Sequence, residues 1–190
     1  MVAVDLKSLV GRLTDVGRRQ LEAAAGLTLS RSHYNVEIEH VLLKLIETSG
    51  SDVASILHKV GVDAGKVASE LTRALDKLRT GNARAPSLSP DIVTWLREAW
   101  ILASLESGAT RIRSGHLLAA LLADESLSRS VRESCPTLLA VPAAAVRSNL
   151  AEVAAGSEES AQAGAASDAE GSAGGGAPAG RSRRMSAKRD

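Results

Sequence analysis

The stretch His33–Glu47, HYNVEIEHVLLKLIE, returns in outline at Thr110–Asp124, TRIRSGHLLAALLAD. Each copy has a polar or charged start, a histidine, and then a dense run of Leu, Ala, Val or Ile. The two histidines, His40 and His116, are 76 positions apart. Apolar runs of this kind favour buried helices, and their recurrence at a fixed offset predicts an internal duplication.

The composition favours an all-α fold. Hydrophobic residues make up 44% of the 190 residues but aromatic residues only 2%, so the core must be built from Leu, Val, Ile and Ala, of which Leu and Ala are strong helix formers. The single cysteine, Cys135, cannot form an internal disulfide, which fits a reducing compartment. The net charge of +1 favours no polyanionic partner. With no signal-peptide pattern and no apolar run near the ~20 residues of a membrane span, we expect a cytoplasmic protein.

Helical spacing predicts two sets of four helices. The first set has one long helix from about residue 5 to about residue 30, followed by helices that begin near Glu37, Asp52 and Asp63. The second set has helices that begin near Pro90, Ser114 and Pro142, and a short helix that includes Leu127 and Val131 between the last two. The second helix matches the sixth at an offset of 76, and the fourth matches the eighth at an offset of 79. Two four-helix units that cover each other's apolar face are therefore expected, with Trp100 in the core and Trp95 partly exposed.

The predicted domain spans residues 1–152. Repeat one covers about 14–80, repeat two covers about 90–152, and residues 5–13 extend the first helix at its N-terminus. Residues 153–180 are mostly Ala, Gly and Ser without an apolar period, so 153–190 is predicted to be a flexible linker. This linker ends in the basic stretch Arg181–Arg189.

Two tandem units that carry the phrase His33–Leu43, HYNVEIEHVLL, resemble the double Clp repeat, the N-terminal domain of Clp-type AAA+ ATPases. The longer context at 18–47, RRQLEAAAGLTLSRSHYNVEIEHVLLKLIE, is similar to the ClpV subfamily of type VI secretion ATPases. The resemblance covers residues 5 to about 152. The sequence departs from the family at Glu37, where a Thr is usual, and has Gly115 where its own first copy has Glu39.

The resemblance implies a substrate-recognition domain. A ClpV N-domain of this kind captures an N-terminal helix of the larger contractile-sheath subunit, and the ATPase ring that follows in cis then disassembles contracted sheaths. The partner is accordingly expected to be a protein helix, and the isolated domain a monomer.

No pattern predicts catalysis, a cofactor or a metal site in this chain. Gly175–Ser182, GGAPAGRS, has the Walker A spacing, but it has Arg181 in place of the lysine and no strand before it. His40 and His116 are interpreted as hydrogen-bonded residues at helix starts, because neither has companion ligands at metal spacing. We therefore expect that these 190 residues are not an enzyme.

The candidate binding surface is the start of the first helix. This helix begins about two turns earlier than its counterpart in the second repeat, and the overhang contains four apolar residues. They either pack on the chain's own core or line a groove for an amphipathic helix. The groove interpretation adds two residues of the fourth helix as a wall, and predicts six partner-binding residues: Leu6, Leu9, Val10, Leu13, Leu75 and Leu78.

Two other functions stay open. The first is an N-domain that binds adaptors or degrons for a Clp protease or disaggregase, against which the overhang and the AAAGLTLSRSHY context speak. The second is nucleic-acid binding through Arg181–Arg189, because basic residues contact phosphates. The nearly neutral body, with 18 basic and 17 acidic residues up to Glu152, argues against that second function.

Overall fold

The computed structural model describes residues 5–172, with side chains as far as residue 165. The described part is all-α apart from one minimal sheet, as the composition predicts. Its helices are α1 Leu6–Arg12, α2 Asp15–Ser30, α3 Ile38–Glu47, α4 Asp52–Lys59, α5 Ala64–Asp76, α6 Pro90–Ile101, α7 Ser114–Ala123, α8 Glu125–Ser134, α9 Ala143–Ser148, α10 Leu150–Val153 and α11 Glu158–Ser172. A π-helical turn, Leu102–Glu106, extends α6, and a 3-10 helix spans Pro136–Ala140. The basic stretch Arg181–Arg189 and the Walker-like Gly175–Ser182 lie outside the described residues.

The two repeats are joined by crosswise parallel pairing. Strand β1, Asn35–Val36, pairs with strand β2, Ser87–Leu88, so the segment before α3 meets the segment before α6. A second backbone contact joins the repeats in an equivalent way. Leu13, which precedes α2, forms an isolated parallel bridge with Ile112, which precedes α7. Each repeat therefore supplies a backbone partner to the other, and this pseudo-symmetric exchange supports the predicted duplication.

The predicted helix starts are accurate to about one residue. Asp63 and Ser89 cap α5 and α6 with their side chains, as the sequence predicts. At α4 and α7 the cap lies one residue earlier than predicted, at Ser51 and Arg113. The side chains of Asp63, Ser89 and Ser51 accept otherwise unpaired N–H groups of the first turn, whereas the side chain of Arg113 does not.

The predicted long first helix is in fact two helices. Leu13 has an extended conformation (φ −61, ψ 147) and ends α1, and the hydroxyl of Thr14 caps α2 by accepting the N–H of Gly17 at 3.2 Å. The break occurs because Leu13 bridges to the second repeat. A Cβ at Gly17 would lie 3.3 Å from Leu13 Cδ2, whereas one at Gly11 would meet nothing within 4 Å, so crowding explains only the first of these glycines.

The core is shared by both repeats. In the first repeat α3 packs between α2 and α5, and in the second α7 packs between α6 and α9. Helix α1 crosses to α6 of the second repeat, and α5 packs against α8 and the 3-10 helix. None of the helices within residues 5–172 is long and apolar enough to cross a membrane.

The two tryptophans exchange the roles predicted for them. Trp95 is fully buried, and its indole N–H donates to the carbonyl of Leu117 at 2.7 Å. Trp100 is only half-buried and lies under the guanidinium of Arg12, 4.7 Å from the ring centroid. The prediction was wrong because an acceptor for the indole N–H is available at position 95, and such a partner decides where a tryptophan can be buried.

The predicted linker is corrected over its first part. Helix α11 begins at Glu158, inside the segment expected to be flexible, and Ser157 and Glu159 are buried against the body. The N–H of Glu158 also donates to the carbonyl of Gly50 at 3.0 Å. The alanines of this segment favour a helix. The composition does not predict that one carboxylate, that of Glu159, is buried and attaches this helix to the body. The folded domain therefore continues past residue 152.

Candidate partner-binding site

The six predicted partner-binding residues do not line one open groove. Three are fully buried in the core, with at most 1% of each residue exposed: Leu9, Leu13 and Leu75. The other three are half-buried at the margin of that core: Leu6, Val10 and Leu78. As a correction, the buried three cannot contact a partner in this conformation, because they are the apolar face by which α1 and α5 attach to the body.

Helix α5 also packs in a different place from the one the groove interpretation requires. Helix α1 packs on α6, whereas α5 packs on α3, α4, α8 and the 3-10 helix. Leu75 therefore lies in, and Leu78 just after, a helix whose main packing partners do not include α1. Any partner that binds along α1 meets its solvent-facing side, and contact through Leu6 and Val10 stays a prediction.

That solvent-facing side borders a surface pocket of about 510 Å³. Its lining comes from α1 and from the loop before α7: Ser8, Gly11, Arg12, Thr110 and Arg111. Apart from Gly11, its two chain neighbours and the nearby backbone of α1, no heavy atom lies within 4 Å of the point where a Cβ of Gly11 would be, so the surface of α1 is bare there. A glycine in this position lets another backbone approach closely.

Backbone hydrogen bonds fix the two segments that line the pocket. The N–H of Ile112 donates to the carbonyl of Arg12 at 2.7 Å, and the N–H of Thr14 donates to the carbonyl of Ile112 at 3.0 Å. The Arg111 guanidinium also donates to the carbonyl of Leu13 at 3.2 Å. The crosswise bridge between the repeats therefore determines the shape of the pocket.

The pocket is basic. Arg12 donates to the carbonyl of Thr110 at 3.4 Å and stacks on Trp100, so its guanidinium stays at the rim. Within residues 5–165, no carboxylate lies within ion-pair distance of Arg12 or Arg111. Two cations that lack an acidic partner favour a ligand that carries negative charge at that end.

His40 and His116 are hydrogen-bonded residues at helix starts, as the sequence predicts. Nδ1 of His40 accepts the N–H of Glu37 at 2.9 Å, and Nδ1 of His116 accepts the N–H of Arg113 at 3.0 Å. Burial, the largest cause for both, lowers the pKa of each imidazole to about 4. Since Nδ1 of His40 is an acceptor, its Nε2 carries the proton and donates to Nδ1 of His33, 2.9 Å away.

A buried polar cluster that the sequence did not predict lies where α2, α4 and α7 begin. The Glu159 carboxylate accepts hydrogen bonds from the Thr14 hydroxyl at 2.5 Å, the Asp52 N–H at 2.8 Å and the Ser114 N–H at 2.9 Å, and also from the Ser114 hydroxyl. Thr14 caps α2, and Asp52 and Ser114 are the first residues of α4 and α7. One carboxylate thus satisfies donors at the positive ends of three helices.

Asp52 is the second carboxylate of this cluster. It accepts both arms of the Arg113 guanidinium at 2.8 and 2.9 Å, the N–H of Gly115 at 3.3 Å and the hydroxyl of Ser157 at 2.5 Å. Burial raises the pKa of Glu159, and the Asp52 carboxylate raises it further, whereas the donated hydrogen bonds oppose this. The donors of Thr14, Asp52 and Ser114 are distant in sequence from Glu159 and meet its carboxylate only in the folded chain. No local sequence pattern therefore predicts the cluster.

The same cluster explains the departure at Gly115. A Cβ there would lie 2.2 Å from Leu150 Cδ1 and 3.0 Å from Asp52 Oδ2. The second repeat has no room for a side chain at this point, whereas the first repeat has Glu39, which is half-buried. The glycine is therefore a packing requirement of the cluster.

Two observations on the described residues concern metal binding and the cysteine thiol. Among them, no group of three or more His, Cys, Asp or Glu side chains is placed to hold a metal ion. Cys135 is buried, and burial raises the pKa of its thiol to about 12, so it stays protonated.

Known proteins of the ClpV and ClpB type are similar to this chain. The family described as Clp repeat (R) N-terminal domain matches residues 12–135. The AAA+ ATPase ClpV1 of Pseudomonas aeruginosa is 28% identical over 131 residues, and the chaperone protein ClpB of Yersinia enterocolitica is 32% identical over 141 residues. These alignments cover 69% and 74% of this chain but only 14% and 16% of the two relatives, so the chain spans a small part of their length.

Two solved structures share the fold closely. The ClpV N-domain in complex with a VipB peptide superposes with a TM-score of 0.69 at 25% identity, covering 84% of this chain and 97% of that one. A structure from work on the coevolution of the ATPase ClpV, the TssB-TssC sheath and the accessory HsiE protein superposes with a TM-score of 0.79 at 25% identity, covering 84% and 98%.

Proposed function

We propose that this chain, which belongs to the Clp repeat (R) N-terminal domain family, is the substrate-recognition domain of a type VI secretion ATPase. In this role it binds a helix of a contractile-sheath subunit. The observation that carries the proposal is the open, basic pocket beside α1, a helix that the duplication does not account for. The likeness to ClpV1 and to a ClpV N-domain that holds a VipB peptide supports it.

The partner helix lies against the solvent-facing side of α1. Gly11 allows the two backbones to approach closely, and the half-buried Leu6 and Val10 offer apolar area at the edge of the contact. Arg12 and Arg111 then pair with an acidic side chain of the partner. Leu9 and Leu13 contribute indirectly, because they fix α1 to the core.

One helix face is a small interface. Its affinity therefore depends on a few anchors, and we expect a dissociation constant of roughly 1–100 µM. Modest affinity suits a domain that hands its substrate on, because the substrate must also be released. In a complete ATPase of this class, the domain would present the sheath subunit to a ring in cis, which would disassemble the contracted sheath.

The proposal is tested with the VipB peptide, labelled with fluorescein, in anisotropy titrations against the whole chain. Gly11→Gln places a side chain in the pocket, and Gly26→Gln is the matched control, since both glycines are exposed, helical and without a neighbour at the Cβ position. We expect Gly11→Gln to weaken binding at least about tenfold, equivalent to 1.4 kcal/mol, and Gly26→Gln to leave it unchanged.

A second pair of variants tests the charge. Arg111→Glu should abolish binding and Arg129→Glu, on the exposed side of α8, should not. Circular dichroism confirms folding of every variant. Wild-type affinity in both Gly11→Gln and Arg111→Glu would show that the partner does not use this pocket.

A second function is favoured by the 32% identity to ClpB and by an exposed apolar patch. Ile101 and Leu105, one turn apart at the end of α6 and in the π-helical turn, are 41% and 79% exposed. Such a patch suits unfolded segments of a disaggregase substrate. Reduced, carboxymethylated lactalbumin is the probe: binding that Leu105→Ser removes and Gly11→Gln leaves intact would favour this second function.

A further inference from the structure

The segment 157–165, here named the C-terminal arm, is attached to the two segments that line the pocket. Glu159 accepts a hydrogen bond from the hydroxyl of Thr14 at 2.5 Å and from the N–H of Ser114 at 2.9 Å. Thr14 follows Arg12 and Leu13 in the chain, and Ser114 lies shortly after Thr110 and Arg111. One side chain therefore holds the ends of both pocket-lining segments.

A second set of contacts also connects the arm to the loop before α7. Arg113, which lies between the pocket loop and Ser114, forms a two-armed ion pair with Asp52. Asp52 in turn accepts the hydroxyl of Ser157, at the base of the arm. The arm thus reaches the pocket loop by two routes, one through Glu159 and one through Ser157 and Asp52.

We propose that the C-terminal arm is a conformational clamp on the α1 pocket, so that seating of Glu159 and occupation of the pocket are coupled. The inference rests on the proposed function for the identity of the pocket's ligand. The connection between the arm and the pocket does not depend on the proposed function, because it consists of contacts within this chain.

The arm has the properties of an element with two discrete positions. Beyond Ser160 its side chains are exposed as far as residue 165, so its seating depends mainly on the side chains of Ser157 and Glu159 and on the backbone N–H of Glu158. A buried carboxylate is costly unless all its donors are in place, and the donors are costly to bury without it. Partial seating is therefore unfavourable, and the arm is either seated or released.

Coupling between two sites is reciprocal. If the seated arm stabilises the bridge between Leu13 and Ile112, and hence the pocket that binds a partner helix, then the partner helix must stabilise the seated arm by the same factor. Release of the arm would conversely loosen the pocket and promote departure of the ligand.

The first experiment needs no ligand. Amide hydrogen exchange by NMR on the whole chain follows the N–H groups of Thr14 and Ile112, which form the bridge, in Glu159→Ala and in the matched control Glu158→Ala. Glu158 is largely exposed, so its loss removes a carboxylate without disturbing the cluster. We expect exchange at both amides to accelerate at least about tenfold in Glu159→Ala and to match wild type in Glu158→Ala.

The second experiment uses the labelled VipB peptide. We expect Glu159→Ala to weaken peptide binding, and saturating peptide to slow exchange of the Ala161 amide, which bonds to the carbonyl of Ser157 in the seated arm. Glu159→Gln, which keeps the shape and part of the hydrogen bonding, should fall between wild type and Glu159→Ala. It also serves if the alanine variant does not fold.

The outcomes separate the two proposals. If wild type does not bind the peptide but Glu159→Ala accelerates exchange at Thr14 and Ile112, the clamp stands and the proposed function fails. If the arm is released, as fast exchange at Ala161 would show, while Thr14 and Ile112 exchange as in wild type, the clamp is refuted. Peptide that binds Glu159→Ala and wild type equally would refute the coupling.

Discussion

His40 and His116, at equivalent positions of the two repeats, each accept through Nδ1 the backbone N–H of the residue three positions earlier, at 2.9 and 3.0 Å. An imidazole can accept a hydrogen bond only on its unprotonated nitrogen, so both rings must be neutral in the native state. Both are buried, and the histidine thus takes the place that Glu or Gln occupies in the common capping box.

The first prediction is a loss of stability in mild acid. The pKa of each histidine is about 4 in the folded chain and 6.5 without these surroundings. Because the folded value is the lower one, the stabilising effect is complete above pH 6.5 and is lost as the pH falls toward 4. Each histidine should cost about 1.4 kcal/mol per pH unit across that window.

Urea unfolding at pH 7.5 and pH 5 measures this effect, with His40→Gln and His116→Gln as comparisons. Each glutamine variant should show a weaker dependence on pH than wild type, because it removes one titrating group. Equal free energies of unfolding for wild type at the two pH values would contradict the assignment.

The second prediction concerns the core. Leu118→Ala should lower the free energy of unfolding by about 2–5 kcal/mol, because this side chain is fully buried in α7. Leu105→Ala, at a position that is 79% exposed, should change it by no more than about 0.5 kcal/mol. Chemical denaturation gives both numbers, and similar losses at the two positions would mean that Leu105 is covered in solution.

The third prediction is that two Gly→Ala substitutions have opposite signs. Gly26→Ala should stabilise the protein by up to about 1 kcal/mol, because alanine favours the helix and nothing lies within 4 Å of the new methyl group. Gly115→Ala should destabilise it by about 1–3 kcal/mol, because the methyl group would collide with Leu150. Thermal melting of both variants decides the point, and a stabilised Gly115→Ala would refute the packing argument.

The fourth prediction reverses an expectation from composition. A chain that ends at residue 155 should melt several degrees below the whole chain, because it lacks the Glu159 carboxylate that accepts from Thr14, Asp52 and Ser114, and each donor left without a partner costs about 1–3 kcal/mol. Glu159→Ala in the whole chain should reproduce most of that loss. An unchanged melting temperature in the shortened chain would mean that water satisfies these donors.

The duplication and most helix starts follow from local chemistry, which is why they were predictable. Caps such as Asp63 and Ser89 act within their own first turn, and the apolar period needs no knowledge of distant residues. The break at Thr14 also had a local signal, a threonine that caps before an acidic residue, but the continuous apolar period across it favoured one helix. The break itself is set by Ile112, which lies in the other repeat.

The rest depends on long-range partners. Trp95 is buried because the carbonyl of Leu117 accepts its indole N–H. Glu159 is buried because three helices converge on it, although its own neighbours in sequence are polar or small. For the binding surface, the overhang stays a prediction, and burial of Leu9 and Leu13 shows that periodicity marks the side of α1 that faces the core.

The position of Glu159 also decides how the folded body bears a mechanical load. The chain leaves the body through α11, so a pull from the C-terminal side reaches Ser157 and Glu159 before it reaches any core side chain. The hydrogen bonds of Glu159 divide that force among the starts of α2, α4 and α7, which belong to both repeats. We therefore expect the arm to yield first under tension, with its hydrogen bonds breaking before the apolar packing of the two repeats is strained.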